Sequence, residues 1–570
     1  MSTLLLPEVL RERAHATPDR VAYRFLDDTG AEAGHLTYAE LHARAMAVAA
    51  QVRAVCAPGE RALLVFPPGL DFLAAYFGCL FARVIAVPVN PPRRTHVQHA
   101  TRSIVRDCAP AVVLTVTGAL EPLRTALQPL LPQAAWLTVD TLTRTEFPAE
   151  PIDPGAVAFL QYTSGSTSAP KGVMVSHRNL AANQDMIRHA FGHDSGSTVV
   201  GWAPLFHDQG LIGNVLQPLW VGATSVLLSP ATFVRRPLLW LTAISEYRAH
   251  SSGGPNFAFD ACVARAAAEP VPELDLTSWQ VAFNGAEPIR PATLARFAET
   301  FAPHGFRATS LYPCYGLAEA TLLVTGSDKG RGPRTLTVDT AALGAGHYRP
   351  ARPGTARTLV SSGRVLPGER VRIVDTATLR SCPAGRTGEI WVTGDHVAQG
   401  YWRRPEATEE LLRARAADDP RTAWLRTGDV GMLVDGDLYV VGRIKDMVII
   451  RGRNHYPHDI EDTVQSAHPA LRHGGSAAFA YPGDAGERLV VVQELRRDRL
   501  DADPAEVIGA IRAAVIREHE LAVGDLVLTP PDQLAKTSSG KIMRSAARAR
   551  YAAAGFEAWP STPDQRSPTR

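Results

Sequence analysis

A run of hydroxyl and glycine residues, YTSGSTSAPKGV (162–173), follows the apolar segment VAFLQ and precedes a helical pattern from Asn179. Thr163, Ser164, Gly165, Ser166 and Thr167 can present hydroxyls and backbone N–H groups to phosphate oxygens, and Lys171 adds a positive charge. By composition alone the run reads first as a Ser/Gly-rich surface loop. It departs from the Walker A pattern, because Pro170 precedes Lys171 and Gly172 follows it. Glu319, Asp429, Arg443 and Lys541 lie far apart along the chain, and each taken singly reads as a surface charge.

The order of the remaining motifs decides between these readings. After the first run come FNGAEPIR (283–290), YGLAEAT (315–321), GEIWVTGDHVAQGYW (388–402), RTGDVG (426–431), GRIKDMVIIRGRNHYPHDIE (442–461) and KTSSGKIMR (536–544). This set resembles the superfamily of acyl-CoA synthetases, peptide-synthetase adenylation domains and luciferases, over residues 23–551. The resemblance implies ATP and Mg²⁺ as cofactors and formation of an acyl-adenylate.

It also assigns roles residue by residue. Lys541 resembles the lysine that holds the acyl oxygen and the α-phosphate, and Glu319 the carboxylate that holds Mg²⁺ against the phosphates, with Thr163 as a second metal contact. Tyr315, with Gly316 and Leu317, is similar to the segment that stacks on adenine, and Gly285, Ala286 and Glu287 to the loop that faces it. Asp429 resembles the carboxylate that accepts both ribose hydroxyls, and Arg443 the guanidinium that contacts ribose or phosphate. Lys445 resembles the hinge about which the smaller domain turns. Three positions depart from the common pattern: Ser168 for glycine, Ala318 for a hydroxyl residue and Ala535 for proline.

Within the superfamily the chain looks like a fatty acyl-AMP ligase, on three features: an insertion over about 340–375, GRNHYPHDIE after the hinge, and PLFHDQGLIG (204–213) with SGGPNFAFD (252–260). That branch implies a fatty acid substrate and transfer to a separate acyl carrier protein in lipid, polyketide or lipopeptide biosynthesis. An ordinary acyl-CoA synthetase and a non-catalytic adenylate-binding scaffold are the alternatives. His207 resembles a histidine at the mouth of the acyl pocket, although a histidine in such a loop is commonly only hydrogen-bonded. Trp202, Phe206, Gly213, Gly254, Pro255 and Phe257 alternate aromatic and small residues, which suits either an alkyl tunnel or a packed core. A packed insertion between the domains would restrain their rotation or block the coenzyme A path.

These groups must be carried by a large scaffold. The 570 residues exceed a single core, so at least two domains are expected. RALLVF, VIAVPVN and AVVLTV alternate with helical runs, which predicts an α/β fold. The resemblance refines this to a large N-terminal domain over 1–444, with α/β subdomains and a small β-barrel-like part, followed by a small mobile α+β domain over 445–558 and a disordered tail over 559–570. Thr37 and Glu40 stand at capping-box spacing and predict a helix start, whereas the apolar run 72–82 is too short to span a bilayer and predicts a buried helix. From 340 to 374, glycines and prolines predict a looped insertion ending in a strand.

A net charge of +2 without a long single-sign block argues against a nucleic-acid partner. Six scattered cysteines with no C-x-x-C pair read as reduced core residues. The absence of an apolar leader or spanning segment predicts a cytoplasmic protein. The residues after the lysine motif are too few for a fused carrier domain, which points to a separate one.

Overall fold

The computed structural model describes residues 4–92, 97–148, 150–163, 170–351, 356–450, 453–483, 486–537 and 540–559. The β-branched runs form strands as their composition favours. Arg61–Leu64, Ile85–Pro88 and Val112–Thr115 join Ala135–Thr138, Val157–Thr163 and Lys171–Ser176 in a six-stranded sheet. The parallel strands Arg61–Leu64, Ile85–Pro88 and Val112–Thr115 are buried almost throughout, as expected where helices cover both faces, while Ala135–Thr138 at the edge is half-buried.

A second sheet of 14 strands changes character along its length. One half is largely parallel: Val21–Leu26, Thr224–Leu227, Thr198–Gly201, Ser251–Gly254, Val281–Asn284 and Leu311–Gly316 lie side by side. At Leu311–Gly316 the sheet turns antiparallel and continues through Leu323–Gly326, Arg364–Val365, Asp437–Arg443, Asp419–Val434, Gly388–Gly394 and Glu369–Val374. This antiparallel run is the part expected to resemble a barrel; among the described residues no ladder joins its ends.

The helix Tyr38–Val55 starts where its box predicts: the Glu40 N–H donates to Thr37 Oγ1, and the Thr37 N–H donates to Glu40 Oε2. Asp71–Phe81 is the buried helix, with every residue after Asp71 inside the core. No described helix is long and apolar enough to cross a membrane. All six cysteines are free, four of them buried.

The insertion holds more structure than a loop. Asp339 caps a short helix, Thr340–Gly344, by accepting the Ala342 N–H, and Ala356–Val360 pairs with Thr335–Asp339. Local capping and pairing override the glycine and proline content there.

From Val448 onward the chain builds its own apolar clusters around a three-stranded sheet, Leu471–Gly483, Gly486–Leu495 and Val523–Thr529, packed with the helices Pro457–Ser466 and Pro504–His519. Trp559 belongs to this core and corrects the expected start of the tail. Its backbone N–H donates to Leu528 O and its indole N–H to Leu500 O, because a large ring with one donor is best accommodated half inside. The rest of the expected tail lies outside the described residues.

Candidate active site

The hydroxyl- and glycine-rich run connects two antiparallel strands. Thr163 pairs with Lys171 and Tyr162 with Gly172, while Ser164, Gly165, Ser166 and Thr167 lie outside the described residues, as does Ser168. The Tyr162 hydroxyl donates to Asp107 at 2.7 Å, tying the outgoing strand to the end of helix His99–Cys108. Lys171 Nζ sits 4.7 Å from the centre of the Tyr401 ring.

Val281–Asn284 and Leu311–Gly316 lie side by side in the second sheet, and their ends lead into FNGAEPIR and YGLAEAT. Gly285 allows this approach: a Cβ there would stand 2.8 Å from the Cys314 carbonyl oxygen. Ala286 follows with φ of +70°, a left-handed conformation costly for a residue with a Cβ. Glu287 then turns back, and its Oε1 accepts the Asn256 N–H at 2.9 Å, at the start of helix Asn256–Ala268. Tyr315 is buried and donates its hydroxyl to Asp429 Oδ2 at 2.8 Å, while Arg443 Nε donates to Oδ1 at 2.7 Å. Asp429 raises the Arg443 pKa further, so this cation is permanent. Gly316 and Leu317 lead into the single turn Ala318–Ala320 that carries Glu319.

Burial raises the Glu319 pKa, and the Tyr401 hydroxyl, donating to Oε1 at 2.8 Å, acts in the opposite direction. The backbone behind it is strained. Thr321 has φ of +64° and ψ of −65°, and the Leu322 N–H donates to Ala320 O at 2.7 Å, closing a γ-turn of the less common hand. Such a conformation costs on the order of 1–3 kcal/mol and persists only where surrounding contacts overdetermine it. Here Thr321 Oγ1 donates to His396 O at 2.6 Å, the Ala398 N–H donates to Glu319 O at 2.9 Å, and Asn183 brackets Leu323 with both ends of its amide.

His207 and Asp208 open a π-helix, Gln209–Leu216, a form concentrated at functional sites. His207 Nδ1 lies 2.5 Å from Asp208 Oδ1, which also accepts the Gln209 N–H. Burial pushes the Asp208 pKa up, but His207 and the backbone donor outweigh it and hold the carboxyl below its usual range. The Phe206 carbonyl accepts from the Gln161 side chain at 3.0 Å, and Gly213 lies inside the π-helix. Trp202 stacks on Phe233 at 3.9 Å and meets Phe257 edge-on at 5.8 Å, with Gly254 beneath its ring and Pro255 preceding helix Asn256–Ala268.

Lys541 arrives from the far end of the chain. Its turn is closed by Thr537, whose carbonyl accepts the Gly540 N–H and whose N–H donates to Lys541 O; Gly540, at φ of +83°, lies against the Phe257 ring. Burial lowers the Lys541 pKa, and the charges that act on it are Glu287, Arg443, Asp208 and Asp429. Five groups scattered between positions 208 and 541 therefore share one electrostatic environment. Lys445, in the turn Ile444–Asp446 beside Arg443, stands outside this group.

Sequence reasoning named Glu319 and His207 but missed what holds them: Tyr401 and Thr321 around Glu319, and Asp208 beside His207. Tyr401 and Thr321 lay inside recognised motifs without any periodicity to single them out; only their partners across the fold mark them. Glu319 fits a hard cation by donor type: one oxygen is taken by Tyr401, and among the described residues no cation pairs with it.

Comparison with known proteins places the chain in a family. The profile of AMP-binding enzymes matches residues 10–402, and that of the Disco-interacting protein 2-like AMP domain matches 445–559. The chain is 42% identical to the medium-chain-fatty-acid–[acyl-carrier-protein] ligase JamA of Moorena producens, over 98% of this chain and 96% of that one. It is 40% identical to the long-chain-fatty-acid–AMP ligase FadD26 of Mycobacterium marinum, over 97% and 98%. A fatty acyl-adenylate ligase from L. pneumophila, solved with acyl adenylate and pyrophosphate, superposes with a TM-score of 0.76 at 38% identity, covering 96% of each chain. With that profile across most of its length, and a half-buried site that gathers cations and carboxylates from positions 208 to 541, this protein belongs to the AMP-binding enzyme family and is an adenylate-forming enzyme.

Proposed function

We propose that this enzyme activates a fatty acid with ATP and passes the acyl group to the phosphopantetheine thiol of a separate acyl carrier protein. The observation that carries the reading is that Gly540, next to Lys541, lies against Phe257, one residue from the Asn256 N–H that Glu287 accepts, so the C-terminal lysine turn stands beside the Gly285–Ala286–Glu287 loop. In the first step a carboxylate oxygen of the acid bonds to the α-phosphorus, the bond from that phosphorus to the bridging oxygen of the β-phosphate breaks, and pyrophosphate leaves. In the second, the thiolate bonds to the acyl carbon, the bond from that carbon to the adenylate oxygen breaks, and AMP leaves.

In this reading Lys541 and Arg443 neutralise the approaching oxygens, and Lys171 with the hydroxyl loop holds the outer phosphates. Tyr315 and the Gly285–Ala286–Glu287 turn enclose adenine. Asp429 takes the ribose hydroxyls with the lone pairs that Tyr315 and Arg443 leave free. Glu319, assisted by Thr163, would hold Mg²⁺, which when bound offsets the charge of the phosphates. His207, oriented by Asp208, faces the acyl carboxylate, and the cluster of Trp202, Phe206, Gly213, Gly254, Pro255 and Phe257 marks the course of the alkyl chain. Residues 1–444 and 445–558 act as two lobes hinged at Lys445, and the second lobe delivers the lysine.

The preference for a carrier over coenzyme A rests on the likeness to JamA and on the position of the insertion. Arg357, on the insertion strand Ala356–Val360, reaches Asp459 at 2.7 Å and lies over the Tyr456 ring, so the segment spans both lobes and restrains their rotation. The test is incubation with ATP, Mg²⁺ and fatty acids of graded length, with mass spectrometry of the nucleotide ester and comparison of carrier protein with coenzyme A as acceptor. Acyl-AMP and acylated carrier are expected. Absence of any acyl-AMP overturns the reaction; ready formation of the coenzyme A thioester overturns the acceptor, and the chain is then an acyl-CoA synthetase.

A further inference from the structure

Glu319 and Lys171 carry opposite charges in one site, yet among the described residues neither forms an ion pair. Tyr401 stands between them. Its hydroxyl donates to Glu319 Oε1 at 2.8 Å, and its ring face receives the Lys171 ammonium at 4.7 Å. We propose that Tyr401 is a positioning residue that keeps the Glu319 carboxylate and the Lys171 ammonium apart while giving each a partner.

The physical need is plain. If the two charges met directly they would neutralise one another, and neither the cation for a phosphate oxygen nor the carboxylate for a metal would be available. If each stood alone in this half-buried site, its desolvation would be uncompensated. A phenol resolves the conflict because its two recognition features point in different directions: an in-plane O–H donor for the anion and an electron-rich face for the cation.

The backbone is built to hold that ring still. Tyr401 is only 5% exposed. The Met174 N–H donates to Gly400 O at 2.9 Å, the Gln399 N–H to Met174 O at 3.0 Å, and the Trp402 N–H to Gly172 O at 2.7 Å. These bonds fasten the segment to the strand Lys171–Ser176 that begins with the lysine. The Tyr401 N–H donates to Thr408 Oγ1 at 2.9 Å. Three residues earlier the Ala398 N–H binds Glu319 O, so the same segment also grips the peptide of the carboxylate. One short stretch thus sets the spacing of both charged groups, and Tyr401 is where their side chains meet.

The inference rests on the adenylate-forming reading, and two measurements separate them. In Tyr401→Phe the ring stays and only the hydroxyl goes. The rate of acyl-AMP formation at saturation should fall about tenfold, as for loss of one hydrogen bond to a charged group, with KM for the fatty acid unchanged. In Tyr401→Leu the ring is lost as well; Lys171 can then collapse onto Glu319, and the fall should be about a hundredfold with a raised KM for ATP.

Independently of turnover, Mn²⁺ binding in the presence of a non-hydrolysable ATP analogue, followed by electron paramagnetic resonance, should weaken about fivefold in Tyr401→Phe. Thermal unfolding of Tyr401→Phe verifies that the fold is kept. A Tyr401→Phe protein with wild-type rate and wild-type Mn²⁺ affinity overturns the proposal. If instead the wild type forms no acyl-AMP with any acid, the adenylate-forming reading fails, while the Mn²⁺ comparison still decides the role of Tyr401.

Discussion

Asp429 receives a phenol on one oxygen and a guanidinium on the other, and Lys541 lies within reach of the same field. Lys541 is the group whose loss should be felt most. Replacing it with alanine is expected to lower acyl-AMP formation by about 10²–10³, the scale of losing one preorganised charge at a developing oxyanion. ATP–pyrophosphate exchange measures it, and an exchange rate within a factor of two of wild type would remove Lys541 from the chemistry. Thr321 is a different kind of residue, since it touches no substrate in the proposed mechanism and instead props a strained turn behind Glu319. Thr321→Val keeps the shape but loses the bond to His396 O. We expect about a fivefold lower rate, with Thr321→Ser restoring most of it, since one neutral buried hydrogen bond is worth about 1 kcal/mol. A valine variant faster than the serine variant would assign the role to the β-branch instead. Of these residues, Lys541, Asp429 and Glu319 were singled out in the sequence as the charged members of their motifs; Thr321 and Tyr401, in motifs too, were not, because their meaning lies in partners 75 and 82 positions away.

Elements were easier to read where the signal is local. The helix Tyr38–Val55 begins at Thr37, because both halves of a capping box are within four residues. Thr37→Ala should therefore lower stability by about 1 kcal/mol, seen as an earlier denaturation midpoint, with acyl-AMP formation unaffected. A variant with an unchanged midpoint would show that packing of Tyr38 and Leu41 alone holds this end. The parallel strands Arg61–Leu64, Ile85–Pro88 and Val112–Thr115 were equally plain, as short apolar runs between helices. The π-helix Gln209–Leu216 was not, since its wider turn follows from how Asp208 and its surroundings are packed and leaves no period in the sequence. The insertion ends in the expected strand, Glu369–Val374, but its earlier part was misjudged in the other direction: glycines and prolines pointed to a loop, while Asp339 capping and a strand pairing organise much of it.

Across the whole molecule, the C-terminal core meets the rest through a seam of charges. Arg290 pairs with Asp462 at 3.1 Å and Arg357 with Asp459 at 2.7 Å, while inside the C-terminal core Arg544 holds Glu461 through two nitrogens, each at 2.6 Å. Burial pushes the Asp462 carboxyl up to about 7; Arg290 pulls it down, but Glu461, Asp459 and Glu287 add to the rise. A carboxyl with a raised pKa binds its proton more tightly in the folded protein than in the unfolded chain. Its contribution to stability is thus complete below its ordinary pKa of 3.8 and is lost as pH rises through about 7. Asp462→Asn should flatten the fall in the denaturation midpoint between those limits. An unaltered pH dependence in that variant would show that Asp462 ionises as an exposed carboxylate. None of this seam was visible beforehand, whereas the family and the alternation of strands and helices were. Motifs and short-range patterns are properties of neighbouring residues, so the chain declares them one segment at a time. Which charges share a cavity, which carboxyl is desolvated and which tyrosine parts an anion from a cation depend on distances between segments hundreds of residues apart, and only tertiary packing decides those.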